Sequence, residues 1–284
     1  MNGLILINKP KGYTSHDIVN VIRKTIGIKK VGHTGTLDPN ATGILPILIG
    51  EATKTSKYLI EHKKTYVATL KLGEQTSTGD SQGDVIKKSK IPNISIKQLK
   101  DALNSFLGIQ LQIPPIYSAV KVDGKKLYEY ARKGKKVDIP SRQIEIYRID
   151  LIDFNNNDLI TFEVECSKGT YIRTLCEDIA KELDTIGYMK ELKRIKVNDF
   201  RIEDSISIEN VTKENIEKHI ITLEDIFKDK DKIELDDKKN TLFLNGVKLS
   251  YNLQDEVYRI YNNQIFIGIG VVKDNVLKRD IIII

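Results

Sequence analysis

One short stretch collects most of the groups that could do chemistry. From Gly32 to Pro46 the chain reads Gly-His-Thr-Gly-Thr-Leu-Asp-Pro-Asn-Ala-Thr-Gly-Ile-Leu-Pro, without helical or strand periodicity. It holds one carboxylate (Asp38), one imidazole (His33), threonine hydroxyls, and Gly32, Gly35 and Gly43. Pro39 pushes Asp38 out of the helical region toward an extended backbone, so its carboxylate projects from the loop at a fixed angle. The glycines let a ligand or a second backbone come close. A carboxylate so held can act as nucleophile or general base. The same Asp-Pro loop can also be a structural turn in which Asp38 caps a neighbouring amide. It lacks the Gly-Lys-Ser/Thr ending of a P-loop, and no Gly-x-Gly-x-x-Gly follows a strand, so phosphate binding of that kind is remote.

Elements must position this loop. The apolar run Ile44 to Ile49 reads as a buried strand that anchors its end. Leu4 to Ile7 reads as another, running into the turn Asn8-Lys9-Pro10-Lys11-Gly12, where Lys9 by itself is a solvated turn lysine. Thr14-Ser15 caps a helix bearing Ile18, Val21, Ile22 and Ile26. A short helix is expected from Ala52 to His62. From Lys64 to Gly73 apolar residues alternate, with Tyr66, Ala68, Leu70 and Leu72 on one face, so Tyr66 is a core tyrosine by pattern alone. The polar loop Thr76 to Asp84 lacks the ligand order of an EF-hand and is read as metal-free. Ser95 opens a helix to about Leu107. Residues 112–142 interleave lysines and arginines with tyrosines, a composition suited to phosphate contact and base stacking. Ile144 to Phe154 and Leu159 to Cys166 form a hairpin around residues 155–158. A helix follows, with Ile172, Leu175, Cys176, Ile179, Ala180 and Leu183 on one face. Arg173 in its first turn opposes the helix dipole and calls for a partner. Leu192 reads as a plain core leucine. Residues 204–228 read as a helix and a connection. Beyond residue 229, β-prone runs (Thr241 to Leu244, Glu256 to Tyr261, Gln264 to Val272, Ile281 to Ile284) separated by turns point to a small β-barrel-like domain.

The chain has 284 residues, 40% hydrophobic and 30% charged, enough for a core in one large domain plus a small one. A formal net charge of +6 suits a polyanionic partner without requiring one. Cys166 and Cys176 are the only cysteines, too few for a disulfide framework and not spaced as a metal site. The start resembles no signal peptide and no apolar run reaches membrane length, so a cytoplasmic protein is expected.

The pattern Gly-His-x-Gly-x-Leu-Asp-Pro-x-Ala-x-Gly-x-Leu closely resembles the catalytic loop of the TruB family of tRNA pseudouridine synthases. Asn-Lys-Pro-x-Gly near the start, the Tyr66 strand, the Pro-x-x-Tyr-Ser-Ala-x-Lys insertion, Cys-Ser-Lys-Gly-Thr-Tyr-Ile-Arg-Thr-Leu and Leu192-Lys193-Arg194 resemble further motifs of that family. Thr36 stands where many relatives carry a smaller residue. The resemblance implies an α+β fold: a mixed, largely antiparallel central sheet flanked by helices over residues 1–228, with a PUA-like RNA-binding domain over 229–284. It implies Asp38 as the catalytic carboxylate, paired with Arg173, and Tyr66 as the base-stacking platform, whose hydroxyl is also a candidate base for the uracil C5 proton. It further implies that His33, Tyr171, Leu192 and Lys9 contact substrate and that the insertion grips RNA. The implied reaction isomerises the T-loop uridine of tRNA to pseudouridine. The expected partner is the tRNA T-arm, and the expected enzyme is a monomer without metal or cofactor. A non-catalytic tRNA folding factor on the same scaffold is the other reading.

Overall fold

Residues 4–7 are apolar at every position, and the computed structural model, which describes residues 1–60, 63–155 and 158–283, shows both faces of their strand covered. Ile5 and Ile7 join a core closed by helices, while Leu4 and Leu6 join a second core on the opposite face. A strand with both faces buried loses the usual polar alternation. This strand, Gly3–Lys9, belongs to a ten-stranded sheet. In spatial order the sheet runs Ile206–Ser207, Gly3–Lys9, Thr42–Ile49, Gly187–Val197, Lys64–Leu72, Leu159–Cys166, Arg142–Phe154 and Gly108–Gln112. Val31–His33 and Phe200–Arg201 pair beside this path. Gly3–Lys9 runs parallel to Ile206–Ser207, and Thr42–Ile49 parallel to Gly187–Val197; the other pairings described are antiparallel. The architecture is therefore the expected α+β one, a mixed and largely antiparallel sheet with helices against it.

Three amphipathic helices close the first face: Ser15–Ile26, Ile96–Asn104 and Ile172–Glu182. The first two start at reciprocal caps, Thr14 with Asp17 and Ser95 with Gln98, which satisfy otherwise orphaned amides. The opposite face is covered by a five-stranded sheet in the order Lys232–Leu235, Val257–Asn262, Ile265–Lys273, Val276–Ile282, Leu249–Ser250, curled as half a barrel. Its Ile269 and Ile281 enter the same cluster as Leu4, Leu6, Ile44 and Leu48.

The structure corrects several expectations. The stretch from Ala52 is a 3₁₀ turn, Gly50–Thr55, and one helical turn, Ser56–Leu59; the last two residues of the expected helix, 61 and 62, lie outside the described residues. Thr53 and Thr55 hydroxyls bond the carbonyls three residues back and favour the tighter turn. Residues 204–228 form the short strand Ile206–Ser207, the 3₁₀ turns Ile208–Asn210 and Ile216–His219 and one helical turn, Leu223–Ile226, rather than one longer helix. Ser205, Thr212 and Asn215 side chains take local backbone groups that a helix would need. Thr241 to Leu244 is no strand but the end of the helix Asp237–Leu244, started by the Asp236 carboxylate accepting the Lys239 amide. The hairpin of Arg142–Phe154 and Leu159–Cys166 is present, although residues 156 and 157 of its turn lie outside the described residues. The last strand is Val276–Ile282, and residue 284, the end of the run expected there, is also outside them.

Candidate active site

The loop leaves the sheet where a proline ends a ladder. Val31–His33 pairs with Thr42–Ile49 as far as Ile47. The next amide, that of Thr34, still donates to the Pro46 carbonyl at 3.2 Å, but Pro46 has no N–H to return. Beyond that point the backbone is held on either side of Asp38. Ser15 Oγ accepts from the Leu37 amide at 2.8 Å and donates to the Leu37 carbonyl at 3.0 Å. The Pro39 carbonyl accepts from the Gly12 amide at 2.9 Å and from Lys9 Nζ at 3.2 Å. Leu37 and Ala41 are buried. With both neighbours of Asp38 fixed, its carboxylate is preorganised.

Arg173, in the first turn of Ile172–Glu182, reaches Asp38: its Nε lies 3.0 Å from Oδ2, with side chains 6% and 34% exposed. Its Nη1 donates to the Thr78 carbonyl at 3.2 Å and Nη2 to the Tyr117 carbonyl at 2.9 Å. One guanidinium thus ties together the loop, the polar turn 76–84 and the basic insertion. Within that turn the Asp80 carboxylate accepts from the Thr78 hydroxyl and the Gln82 amide. Burial pushes the Asp38 carboxyl above the usual carboxylate range, against the opposing charge of Arg173.

A cavity of about 280 Å³ opens beside this pair, lined among others by Asp38, Tyr66, Tyr171, Arg173, Leu192 and Arg194. Five residues singled out in the sequence therefore share one wall system: Asp38, Tyr66, Tyr171, Arg173 and Leu192. Tyr66 is buried on the inner face of Lys64–Leu72, and burial pushes its phenol up. A phenolate is therefore scarce near neutral pH, which favours a stacking role over that of a ready base. Tyr171 is bracketed by Gln112, whose Oε1 accepts from its amide at 2.8 Å and whose Nε2 donates to its carbonyl at 3.1 Å.

Lys9 and His33 are placed otherwise. Lys9 is fully buried and does not line the cavity; its Nζ donates to the carbonyls of Pro10, Tyr13 and Pro39. Each proton of its ammonium has a backbone acceptor, so Lys9 anchors the loop in this structure. Burial lowers its pKa to about 8. His33 also lies outside the cavity lining, with its Nδ1 accepting from the Gly35 amide at 3.3 Å. Burial, and then the charge of Arg194, hold its imidazole below the ordinary value, so it is neutral at pH 7.

Arg194 is the site residue that sequence reading passed over. It is 1% exposed, and it donates from Nε to the Ile44 carbonyl at 2.9 Å and from Nη2 to the Gly35 carbonyl at 3.3 Å. A register shift beside it re-aims the strand Gly187–Val197. The available signal was its place in the Leu192-Lys193-Arg194 motif; as one of four cations in its strand it does not stand out by type alone.

Solved structures share this fold. A Cbf5-Nop10-Gar1 complex aligns with 95% of this chain and 78% of its own at TM-score 0.69 and 24% identity. An H/ACA RNP bound to a substrate RNA containing 2′-deoxyuridine aligns with 99% of this chain and 85% of its own, at 0.72 and 21%. At these identities the likeness shows the fold alone. The sequence narrows it. The model of the TruB family pseudouridylate synthase N-terminal domain matches residues 23–172, and that of the tRNA pseudouridylate synthase B C-terminal domain matches residues 173–234. A tRNA pseudouridine synthase B of Caldanaerobacter subterraneus subsp. tengcongensis is 43% identical over 281 residues, 98% of either chain. One of Clostridium perfringens is 44% identical over 278 residues, 95% of either chain. The chain belongs to the TruB family of pseudouridylate synthases.

Proposed function

We propose that this protein isomerises a uridine of tRNA, the one in the T-loop, to pseudouridine. The observation that carries the reading is Asp38, held 3.0 Å from Arg173 Nε at the wall of a cavity shared with Tyr66 and Leu192. The target base is buried in RNA structure and must be flipped out and captured. Tyr66 supplies a ring to stack on, Leu192 an apolar wall, and Tyr171 a further contact. Asp38 acts on the ribose, as nucleophile or as base, while Arg173 favours its ionised form and fixes its direction. The N-glycosidic bond breaks, the uracil turns in place, and a bond forms from the same sugar carbon to C5, which gives up its proton while N1 takes one up, so product and substrate have the same formula. The two fragments that part are the two that rejoin, so the balance requires no cofactor.

Residues 112–142 and the half-barrel sheet carry the remaining RNA contact in this reading. The insertion supplies Ser118 and Ala119 to the cavity wall and keeps lysines exposed at 121, 125, 133 and 135. His33, neutral and half-buried next to the loop, holds displaced RNA. The division at residues 228/229, the PUA-like role of the second sheet, a monomeric state and a cytoplasmic setting belong to the same proposal; among the described residues no helix is long and apolar enough to cross a membrane.

The test is tritium release from C5-labelled uridine in a T-arm stem-loop RNA, with wild type and Asp38→Asn side by side. Release by wild type and none by the variant is expected, with RNA affinity nearly unchanged. RNA binding without release by either protein would make it a folding factor instead.

A further inference from the structure

The neck of the basic insertion meets the start of the helix Ile172–Glu182. The Tyr117 carbonyl accepts from Arg173 Nη2 at 2.9 Å, and the Ile113 carbonyl accepts from the Thr174 hydroxyl at 3.3 Å. Gln112 does more. Its Nε2 donates to the Tyr171 carbonyl at 3.1 Å while its Oε1 accepts from the Tyr171 amide at 2.8 Å. A side-chain amide carries a donor and an acceptor side by side, and here both are used on one residue. Gln112 is itself firmly held: it is 5% exposed, and it ends the strand Gly108–Gln112, where it pairs with Arg142 at the far end of the insertion.

Tyr171 has little else to hold it. It is the N-cap of its helix, with extended backbone (φ −97°, ψ 111°) and no capping side chain of its own. The helix supplies one bond, from the Leu175 amide to the Tyr171 carbonyl at 3.1 Å. Among the described residues no other hydrogen bond reaches Tyr171. Arg173, by contrast, is fixed by Asp38 and by the carbonyls of Thr78 and Tyr117. Yet Tyr171 lines the Asp38 cavity. We propose that Gln112 is a positioning residue for the isomerisation: it fixes Tyr171 at the cavity wall against the captured nucleotide, and so makes the neck of the insertion part of the site. This inference rests on the isomerase reading and on the contact that Tyr171 makes in it. Small misplacements of a group beside the reacting atoms cost rate steeply, whereas RNA affinity is gathered over many phosphate contacts outside the cavity.

Gln112→Met keeps the length of the side chain and removes the amide. The melting temperature should fall, because two backbone groups of Tyr171 lose a partner. A role confined to stability would end there. The positioning role adds a split: well below the melting temperature, kcat for tritium release from the C5-labelled T-arm RNA should fall about tenfold, while the Kd for that RNA and the circular dichroism spectrum stay nearly unchanged. Gln112→Glu keeps an oxygen for the Tyr171 amide and loses the donor to its carbonyl, so its kcat should lie between wild type and Gln112→Met. Wild-type kcat in folded Gln112→Met would overturn the inference, as would a loss carried by Kd instead of kcat, or a Gln112→Glu no faster than Gln112→Met. Should Gln112→Met fail to fold, Gln112→Glu decides alone, and wild-type turnover in it overturns the inference. A wild type that releases no tritium defeats the isomerase reading and this inference with it. An active wild type with full kcat in the variants defeats this inference alone.

Discussion

Asp38 is asked to be ionised in a place that resists ionisation. Burial raises its pKa and the Arg173 charge opposes that rise without cancelling it. The folded protein therefore binds the Asp38 proton more tightly than the unfolded chain does. Ionising the group costs stability as pH rises from the ordinary aspartate range through the raised folded value. In the proposed reaction the carboxylate is the working form, so activity should follow the opposite course and fall as pH drops through the folded value. Arg173→Gln removes the opposing charge and leaves the burial. The acid limb of kcat against pH should therefore move to higher pH, together with a fall in the plateau. An unmoved limb, read from tritium release across pH 5 to 8 (roughly the span in which perturbed carboxylates titrate), would mean that the guanidinium only braces the Thr78 and Tyr117 carbonyls.

At the scale of elements, the loop works because a helix start and a strand end grip it. Ser15 is both the first residue of its helix and the clamp on Leu37. Ser15→Ala strands a buried amide, so stability should fall by about 1–3 kcal/mol. The kcat should fall more than the RNA affinity, since Asp38 loses its fixed direction; a loss confined to affinity would place the effect elsewhere. Gly43 is the second hinge. Its φ is +104°, and a Cβ there would stand 2.1 Å from the Arg194 carbonyl oxygen. Gly43→Ala should therefore cost more than about 1 kcal/mol in thermal or urea unfolding, with backbone strain and a backbone clash acting together. How far such details were legible varies with their physical origin. Periodicity exposed the Ile172–Glu182 face, alternation the Lys64–Leu72 strand, and cap residues the start of Ser15–Ile26, because those signals are local. The burial of Lys9 depends on three carbonyls, one of them thirty residues away, and turn chemistry pointed the other way. Arg194 reaches Ile44 and Gly35 across 150 residues and more, through a register shift that no short pattern encodes. The helix Asp237–Leu244 was hidden by β-prone residues that tertiary context overrode, and its capping Asp236 was the missed signal.

For the whole molecule, the question is whether the half-barrel sheet is an appendage or part of the core. Turn spacing marked it as a separate unit, and period-two patterning within it identifies inward residues, but neither says what the inward residues meet. In the structure Ile269 and Ile281 pack with Leu4, Leu6, Ile44 and Leu48, the back face of the strands that hold the Asp38 loop. Asp280 adds a second tie, accepting from Lys57 Nζ and the Tyr58 hydroxyl, and Tyr58 stands edge-on to Phe227 with ring centroids 5.4 Å apart. Removing residues 229–284 would expose an apolar sheet face of the kind that drives aggregation. Residues 1–228 alone should therefore be recovered aggregated or loosely folded. A finer variant tests the same point in the full chain. Ile281→Ala opens a cavity between the two sheets and should cost about 2–5 kcal/mol. Because the cluster spans both sheets, the loss should lower a single cooperative transition followed by circular dichroism and by the fluorescence of the tyrosines. Two separated transitions, with the catalytic part melting as in wild type, would show that the second sheet folds independently and that the loop needs no support from behind.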